Sequence, residues 1–352
     1  MNKQFRCGLV VGKFCPLHHG HEFLIERALY SCDEVIIISY TKPEFARCDR
    51  NSRERWITHL FPTVISLVID DALLERLCKV RDIPIPMSVP HNDAPDAEHR
   101  QFVAWLCMTI LGKAIDAVFT SEDYGEGFVD ALTTCFQLNA NSLSKVRHVC
   151  VDEKRETVPI SGTKIRASPH QYRRFLSSYV YASFVERICI LGGESSGKTT
   201  LAQAMATHFD TTWVPEYGRE LWELKNGQLL FEDMLKIGRI QVERELALSL
   251  SANQFLICDT SPLTTLFYSK EMFGAADIGL EKLATRQYDH TFLCVPDFGF
   301  VQDKTRRDQE FSLRQHSWYL AVLAARNIAF SLIEGKPDER LSTVAQILID
   351  GH

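Results

Sequence analysis

Short apolar runs alternate with longer segments of helical periodicity along the whole chain. Runs of strand character fall at Cys7–Val11, Glu34–Ser39, Val64–Ile69, Ala117–Thr120 and Val146–Val151. A second set falls at Ile188–Leu191, Thr212–Val214, Phe255–Cys258, Thr291–Val295 and Ile328–Ile333. Between them the pattern predicts helices such as His21–Cys32, Glu98–Leu111, Thr199–Phe209, Glu232–Leu250 and Leu313–Arg326. Alternation of this kind predicts an α/β protein whose parallel sheets carry helices on both faces. A chain of 352 residues can bury two cores of ordinary size. Ser168-Pro169 discourages a helix from running through, and RICILG begins a new strand at Arg187. The expected organisation is a first domain over 1–170, a linker over 171–186 and a second domain over 187–352.

Composition narrows the class. Hydrophobic residues make up 45% and charged residues 24%, the balance of a globular chain. A net charge of −6 argues against a general nucleic-acid binder. No apolar stretch reaches the ~18 residues of a membrane span, and the opening residues enter a strand without a signal peptide's apolar segment. The 11 cysteines are scattered, form no C-x-x-C, and include strand positions such as Cys189 and Cys258. Buried, reduced thiols in a cytoplasmic protein are expected, rather than a zinc site or a disulfide framework.

The chemistry lies at the ends of two strands. Gly12 to His21 reads GKFCPLHHGH. Gly12 ends its strand where backbone can approach a phosphate, Pro16 stiffens the turn, and Gly20 lets a helix start close to the ligand. His18 and His21, three apart, can face one phosphate and donate to oxygens that gain charge in a transition state. Lys13 adds a full charge, and Phe14 completes the ATP-binding candidates Gly12, Lys13, Phe14 and Gly20. The competing readings are a plain glycine turn, or a metal site built from Cys15, His18, His19 and His21. The second leaves the glycines and the proline without a purpose. The pattern resembles the nucleotidyltransferase superfamily of nicotinamide-mononucleotide and pantetheine-phosphate adenylyltransferases. That family's second signature, I-S-x-T-x-x-R, is matched by Ile160 to Arg166. The resemblance implies that Ser161 and Thr163 bind ATP phosphates at a helix start, and that Arg166 neutralises the pyrophosphate that leaves. Ser161 as a simple N-cap is compatible with this.

Gly192 to Thr200 reads GGESSGKTT, after the strand RICIL and before a helical run. That is the context a P-loop requires. Gly192, Gly193, Glu194, Ser195, Ser196, Gly197, Lys198, Thr199 and Thr200 are the ATP-binding candidates. Lys198 would reach the β- and γ-phosphates, and Thr199 would ligate Mg²⁺. Asp259 closes the run FLICD and is read as a Mg²⁺ partner or proton acceptor, against the alternative of a turn aspartate. Glu216, in VPEYGRE, is either a substrate or base carboxylate or a first-turn helix glutamate. The basic run Asp303 to Arg307 is a lid or a solvated face. Asn92, Trp105 and Tyr124 are candidates for the wall of the first pocket or structural residues.

The two motifs in one chain, with TSEDYGEGF, VPISGTKIRA, WVPEYGRE and CDTSPLTT, resemble the bifunctional NadR family over nearly the whole sequence. With 11 residues ahead of Gly12, the form expected is the one without a helix-turn-helix domain. The resemblance implies two consecutive reactions, ribosylnicotinamide phosphorylation in the C-terminal half and adenylylation of the mononucleotide to NAD in the N-terminal half, with ATP as co-substrate and Mg²⁺ as cofactor. Partners are then small molecules, with a homo-oligomer compatible. A lid is implied with Phe300, Asp303 and Arg306 at its functional positions and Lys304 where the family carries glycine. The rival readings are a NAD- or ATP-sensing regulator of a partner such as a transporter, and the same chemistries on another vitamin precursor.

Overall fold

The computed structural model describes residues 3–84, 87–121, 125–140, 145–152, 154, 156–297 and 308–350. It falls into two compact units, Met1–Ser183 and Phe184–His352. The first holds five parallel strands, β1 (Phe5–Val11), β2 (Cys32–Ser39), β3 (Ile65–Val68), β4 (Ala117–Thr120) and β5 (Arg147–Cys150), in the order β3-β2-β1-β4-β5. The second holds β6 (Glu186–Gly192), β7 (Trp213–Val214), β8 (Phe255–Asp259), β9 (His290–Cys294) and β10 (Ser331–Ile333), in the order β10-β9-β6-β8-β7, again all parallel.

Helices on both faces explain why the strands read as continuous apolar runs rather than alternating ones. Along β6, Ile188 and Ile190 enter one core with Leu201, Met205 and Val344, whereas Cys189 and Leu191 enter another with Leu263, Tyr319 and Leu323. In the first unit Leu9, Ile36 and Ile38 pack on Phe102, Leu106 and Leu132, while their neighbours Val10 and Ile37 are equally buried. The ten cysteines that lie in buried or half-buried positions, and Cys150 at the surface, are all free thiols.

Four segments depart from the sequence pattern, one of them the helix expected from Leu313, which begins at Gln309. The helix expected over Glu98–Leu111 is an α-helix at Asp96–Trp105 that continues as a π-helical segment, Leu106–Leu111. The strand expected from Ile328 begins only at Ser331. The segment 171–186, read as a linker, contains a 3-10 turn at Arg173–Phe175, a short helix at Ser178–Tyr181, and the first residue of β6. Its Leu176, Val180 and Tyr181 are buried, and Trp56 Nε1 donates to Ser183 Oγ at 3.0 Å. Residues 171–183 of it fall in the first unit and 184–186 in the second, and its buried apolar residues are spaced too irregularly to show a period. Among the described residues no helix is long and apolar enough to cross a membrane.

Candidate active sites

In each sheet one central strand has neighbours that run off in opposite directions: β1 between β2 and β4, β6 between β8 and β9. At such a switch point the following loops diverge and leave a crevice beyond the strand ends, where ligands bind in open α/β sheets. Both phosphate-type motifs begin at these two points.

Past β1, Phe14 adopts φ 48° and is 1% exposed, an uncommon backbone for a bulky residue. It turns the chain so that His18 becomes the N-cap of the helix His19–Ser31. The His18 and His21 rings stack at 3.7 Å between centroids, and Phe14 meets His21 edge-on at 5.0 Å. His18 donates its backbone N–H to His21 Nδ1 at 3.4 Å, which leaves His21 Nε2 to carry the ring proton of the neutral form. Both rings border a cavity of about 160 Å³ with Gly12, Lys13, Phe14, Gly20 and Ser161. Thr163 and Arg166 are not on that lining. Arg166 Nη1 instead donates to the Cys15 carbonyl at 2.5 Å, Nη2 to Thr163 Oγ1 at 3.1 Å, and its guanidinium lies 4.1 Å from the Phe45 ring centre. Ser161 caps the helix Gly162–Ala167 by accepting from Lys164 N–H. Gly162 is required there, because a Cβ would lie 2.8 Å from the Cys15 carbonyl oxygen.

Asp152, which the sequence reading passed over, also lines this cavity. It has φ 58° and accepts from the backbone N–H groups of Glu156, Thr157 and Val158, so it shapes the approach to the Ser161 helix. An acidic residue directly after a strand was the available signal. Asn92 is met through its carbonyl, which accepts from Lys13 Nζ at 3.2 Å. Trp105 lies on a different groove, with Met108 and Cys135. Tyr124 lies outside the described residues.

Past β6, Gly192 has φ 150° and Gly197 φ 80°, and Ser195 sits at φ 63°. These wrap the loop onto the helix Lys198–His208, whose first turn holds Lys198, Thr199 and Thr200. Gly193 runs against the helix Gln309–Ala325, where a Cβ would come 2.4 Å from the Ser312 carbonyl oxygen. The loop is tied from several sides. Ser312 Oγ donates to the Glu194 carbonyl at 2.6 Å, Glu194 N–H to Gln315 Oε1 at 3.0 Å, and Ser196 Oγ to the Gly193 carbonyl at 2.8 Å. Arg340, 1% exposed, donates to the Ser196 carbonyl at 2.6 Å, to Val295 and Gly335 carbonyls, and to Asp297. No motif marked that arginine. Lys198 Nζ donates back to the Gly193 carbonyl at 2.9 Å.

Thr199 Oγ1 donates to Asp259 Oδ2 at 2.6 Å. Asp259 Oδ1 is buried and meets no hydrogen-bond partner. Burial holds the Asp259 carboxyl above the usual carboxylate range, against the opposing effects of Thr199 and Lys198. Glu216 ends the segment after β7 as N-cap of the helix Tyr217–Leu224. Its carboxyl is raised by burial and then by the neighbouring Asp259, and Arg219 Nη2 stands 3.6 Å away. Glu216 and Arg219 open onto a cavity of about 260 Å³, with Trp222, Leu229, Met234 and Ile237 on its apolar side. Tyr268 lines it too and donates to Glu194 Oε1 at 2.8 Å. Phe300, Asp303 and Arg306, with Lys304, lie outside the described residues.

Among the described residues no group of three or more histidine, cysteine, aspartate or glutamate side chains is arranged to hold a metal ion. A P-loop cation site does not need one, since a hydroxyl, one carboxylate, phosphate oxygens and water complete it. The paired Thr199 hydroxyl and the unmet Asp259 oxygen fit that requirement.

The fold and the two sites define a two-unit α/β protein, a Rossmann-like half followed by a P-loop half, each with a phosphate-type turn at the switch point of its sheet. A family model described as an AAA domain matches residues 187–340. The Trifunctional NAD biosynthesis/regulator protein NadR of Escherichia coli (strain K12) is 30% identical over 338 residues, which cover 93% of this chain and 78% of that protein. Its counterpart from Salmonella typhimurium (strain LT2) is 29% identical over 282 residues, 77% of this chain, and the match spans 64% of that protein's length. A crystal structure of NadR protein in complex with NAD and AMP-PNP superposes with a TM-score of 0.67 at 17% identity, covering 96% of this chain and 93% of that one. A NadR structure in complex with NR gives the same TM-score at 16% identity, covering 99% and 96%. The chain belongs to the NadR family.

Proposed function

We propose that the chain makes NAD in two ATP-dependent steps, phosphorylating ribosylnicotinamide in the P-loop unit and adenylylating the resulting mononucleotide in the first unit. The observation that carries this is the pair of phosphate-binding turns, each at the switch point of its own sheet and each opening onto a cavity. Relatives named for NAD biosynthesis, and NadR structures holding NAD, AMP-PNP and NR, support the choice of substrates.

In the kinase step the nucleoside's primary hydroxyl oxygen bonds to the γ-phosphorus, the bond from that phosphorus to the β–γ bridging oxygen breaks, and ADP leaves. Glu216 takes the hydroxyl proton, because it faces the cavity and its raised pKa makes it a better acceptor than an ordinary carboxylate. Lys198 exchanges the Gly193 carbonyl for phosphate oxygens. Thr199 and Asp259 would hold Mg²⁺, which when bound supplies charge neutralisation on the phosphates. In the adenylyl step an oxygen of the mononucleotide phosphate bonds to the α-phosphorus of ATP and pyrophosphate leaves. His18 and His21 stabilise the charge gained by the α-phosphate oxygens, Ser161 and the helix it caps bind the departing phosphates, and Arg166 turns from the Cys15 carbonyl to neutralise them.

Incubation of the purified protein with ATP, Mg²⁺ and ribosylnicotinamide, followed by chromatography, should show the mononucleotide and then NAD. Lys198→Ala should abolish the first product while leaving NAD formation from supplied mononucleotide within about twofold. His18→Ala should do the reverse, lowering adenylyl transfer about 10²-fold. No turnover at either step would sink the proposal in favour of a sensor.

A further inference from the structure

Gln241 lies on the helix Phe231–Ser249, on the buried face that also carries Met234 and Ile237. It is 2% exposed. Its amide orientation is fixed, because Oε1 accepts the backbone N–H of Tyr217 at 2.9 Å. Nε2, with its two donors, is therefore turned the other way, buried and without a hydrogen-bond partner in the protein. The residue lines the cavity of about 260 Å³ described above. Unmet buried donors are rare because they forfeit their hydration with no return, so one on a cavity wall points to a ligand that completes it.

Glu216, the proton acceptor in the kinase reading, lines the same cavity. Met234 and Ile237, on Gln241's own helix, belong with Trp222 and Leu229 to an apolar side suited to a flat ring. We propose that Gln241 Nε2 donates to the carbonyl oxygen on the ring of the nucleoside, so that Gln241 is the residue that reads the pyridine substituent. This rests on the kinase reading of the same site.

Three ribosides separate the outcomes: that of nicotinamide, that of its acid form, and that of unsubstituted pyridine. Gln241→Met should lower kcat/KM for the nicotinamide riboside about 10²-fold, while the unsubstituted riboside changes less than about threefold. Gln241→Glu keeps an acceptor for Tyr217 N–H and removes the donor. Facing a carboxylate, it should raise the preference for the amide over the acid riboside by about tenfold or more. A parallel fall for all three ribosides in both variants would overturn the assignment and leave Gln241 as an anchor for Tyr217. So would unchanged selectivity. Wild-type protein that phosphorylates none of the three would remove the kinase reading itself, and this inference with it.

Discussion

Asp259 and Glu216 are two carboxylates whose charge is disfavoured by burial, set within reach of each other's field. That arrangement trades stability for chemistry. For a carboxyl whose folded pKa is raised, the fold is favoured below the unfolded value and loses stability as pH rises through the folded one. Glu216→Gln should therefore leave the apo protein's Tm unchanged at acidic pH and raise it at neutral pH, measured by calorimetry with a chelator present. The same substitution should lower kinase kcat by about 10²-fold or more. In the wild type the acid limb of kcat should lie above 4.5, the ordinary glutamate value, because the base works only when ionised. An acid limb at or below that value would assign the proton elsewhere. Single residues of this kind were partly legible in the sequence. Glu216 and Asp259 followed strand-like runs, but only the cavity lining, which includes Glu216 and not Asp259, favours one of them as the proposed base. Gln241 gave no signal beyond being a polar residue at the position where a helical stripe of Met234 and Ile237 continues.

At the scale of elements, the phosphate turns work because backbone approaches backbone. The helix Gly162–Ala167 starts against the Cys15 carbonyl, with room for hydrogen but not for a methyl at position 162. Gly162→Ala should separate the helix from the GKFCPLHHGH turn and loosen the Arg166 contact to Cys15. The expected result is a rise of about tenfold or more in KM for ATP in adenylyl transfer, with kinase constants unchanged. A kinase defect of equal size would mean global damage instead. The sheet strands that carry the turns were plain in the sequence, since Cys7–Val10 of β1 and Ile188–Leu191 of β6 are buried on both faces and carry no charge. The turns were plain as well, because few residue types satisfy their backbone. What the sequence concealed was support from a distance. Arg340 holds the P-loop's Ser196 carbonyl from the last helix, 144 residues away, through a backbone oxygen that leaves no pattern. The 171–186 segment was concealed for a related reason, its buried residues being fixed by tertiary packing rather than by a local period.

For the whole molecule, the proposed chemistry gives the two units an order: the product of the P-loop unit is the substrate of the first. Each unit has its own sheet, switch point and cavity, and the described residues that line each of the two cavities belong to its own unit. Two chains, each disabled at one site, should then complement in a single tube. Lys198→Ala alone should make no NAD from ribosylnicotinamide, and His18→Ala alone should accumulate the mononucleotide and form NAD about 10²-fold more slowly. Mixed in equal amounts, they should make NAD after a lag during which free mononucleotide rises to the steady-state level at which the intact adenylyl site consumes it as fast as it is made. Adding more Lys198→Ala protein should shorten that lag in proportion, since the step it accelerates is capture of a dissolved intermediate. Each variant must first be shown active in its surviving step, so that silence in the mixture has one meaning. NAD formation by the mixture would establish sites that act independently. A mixture that stays silent while both surviving activities are intact would show that the mononucleotide must be handed over within one chain, and the picture of two separate catalysts joined by diffusion would have to be abandoned.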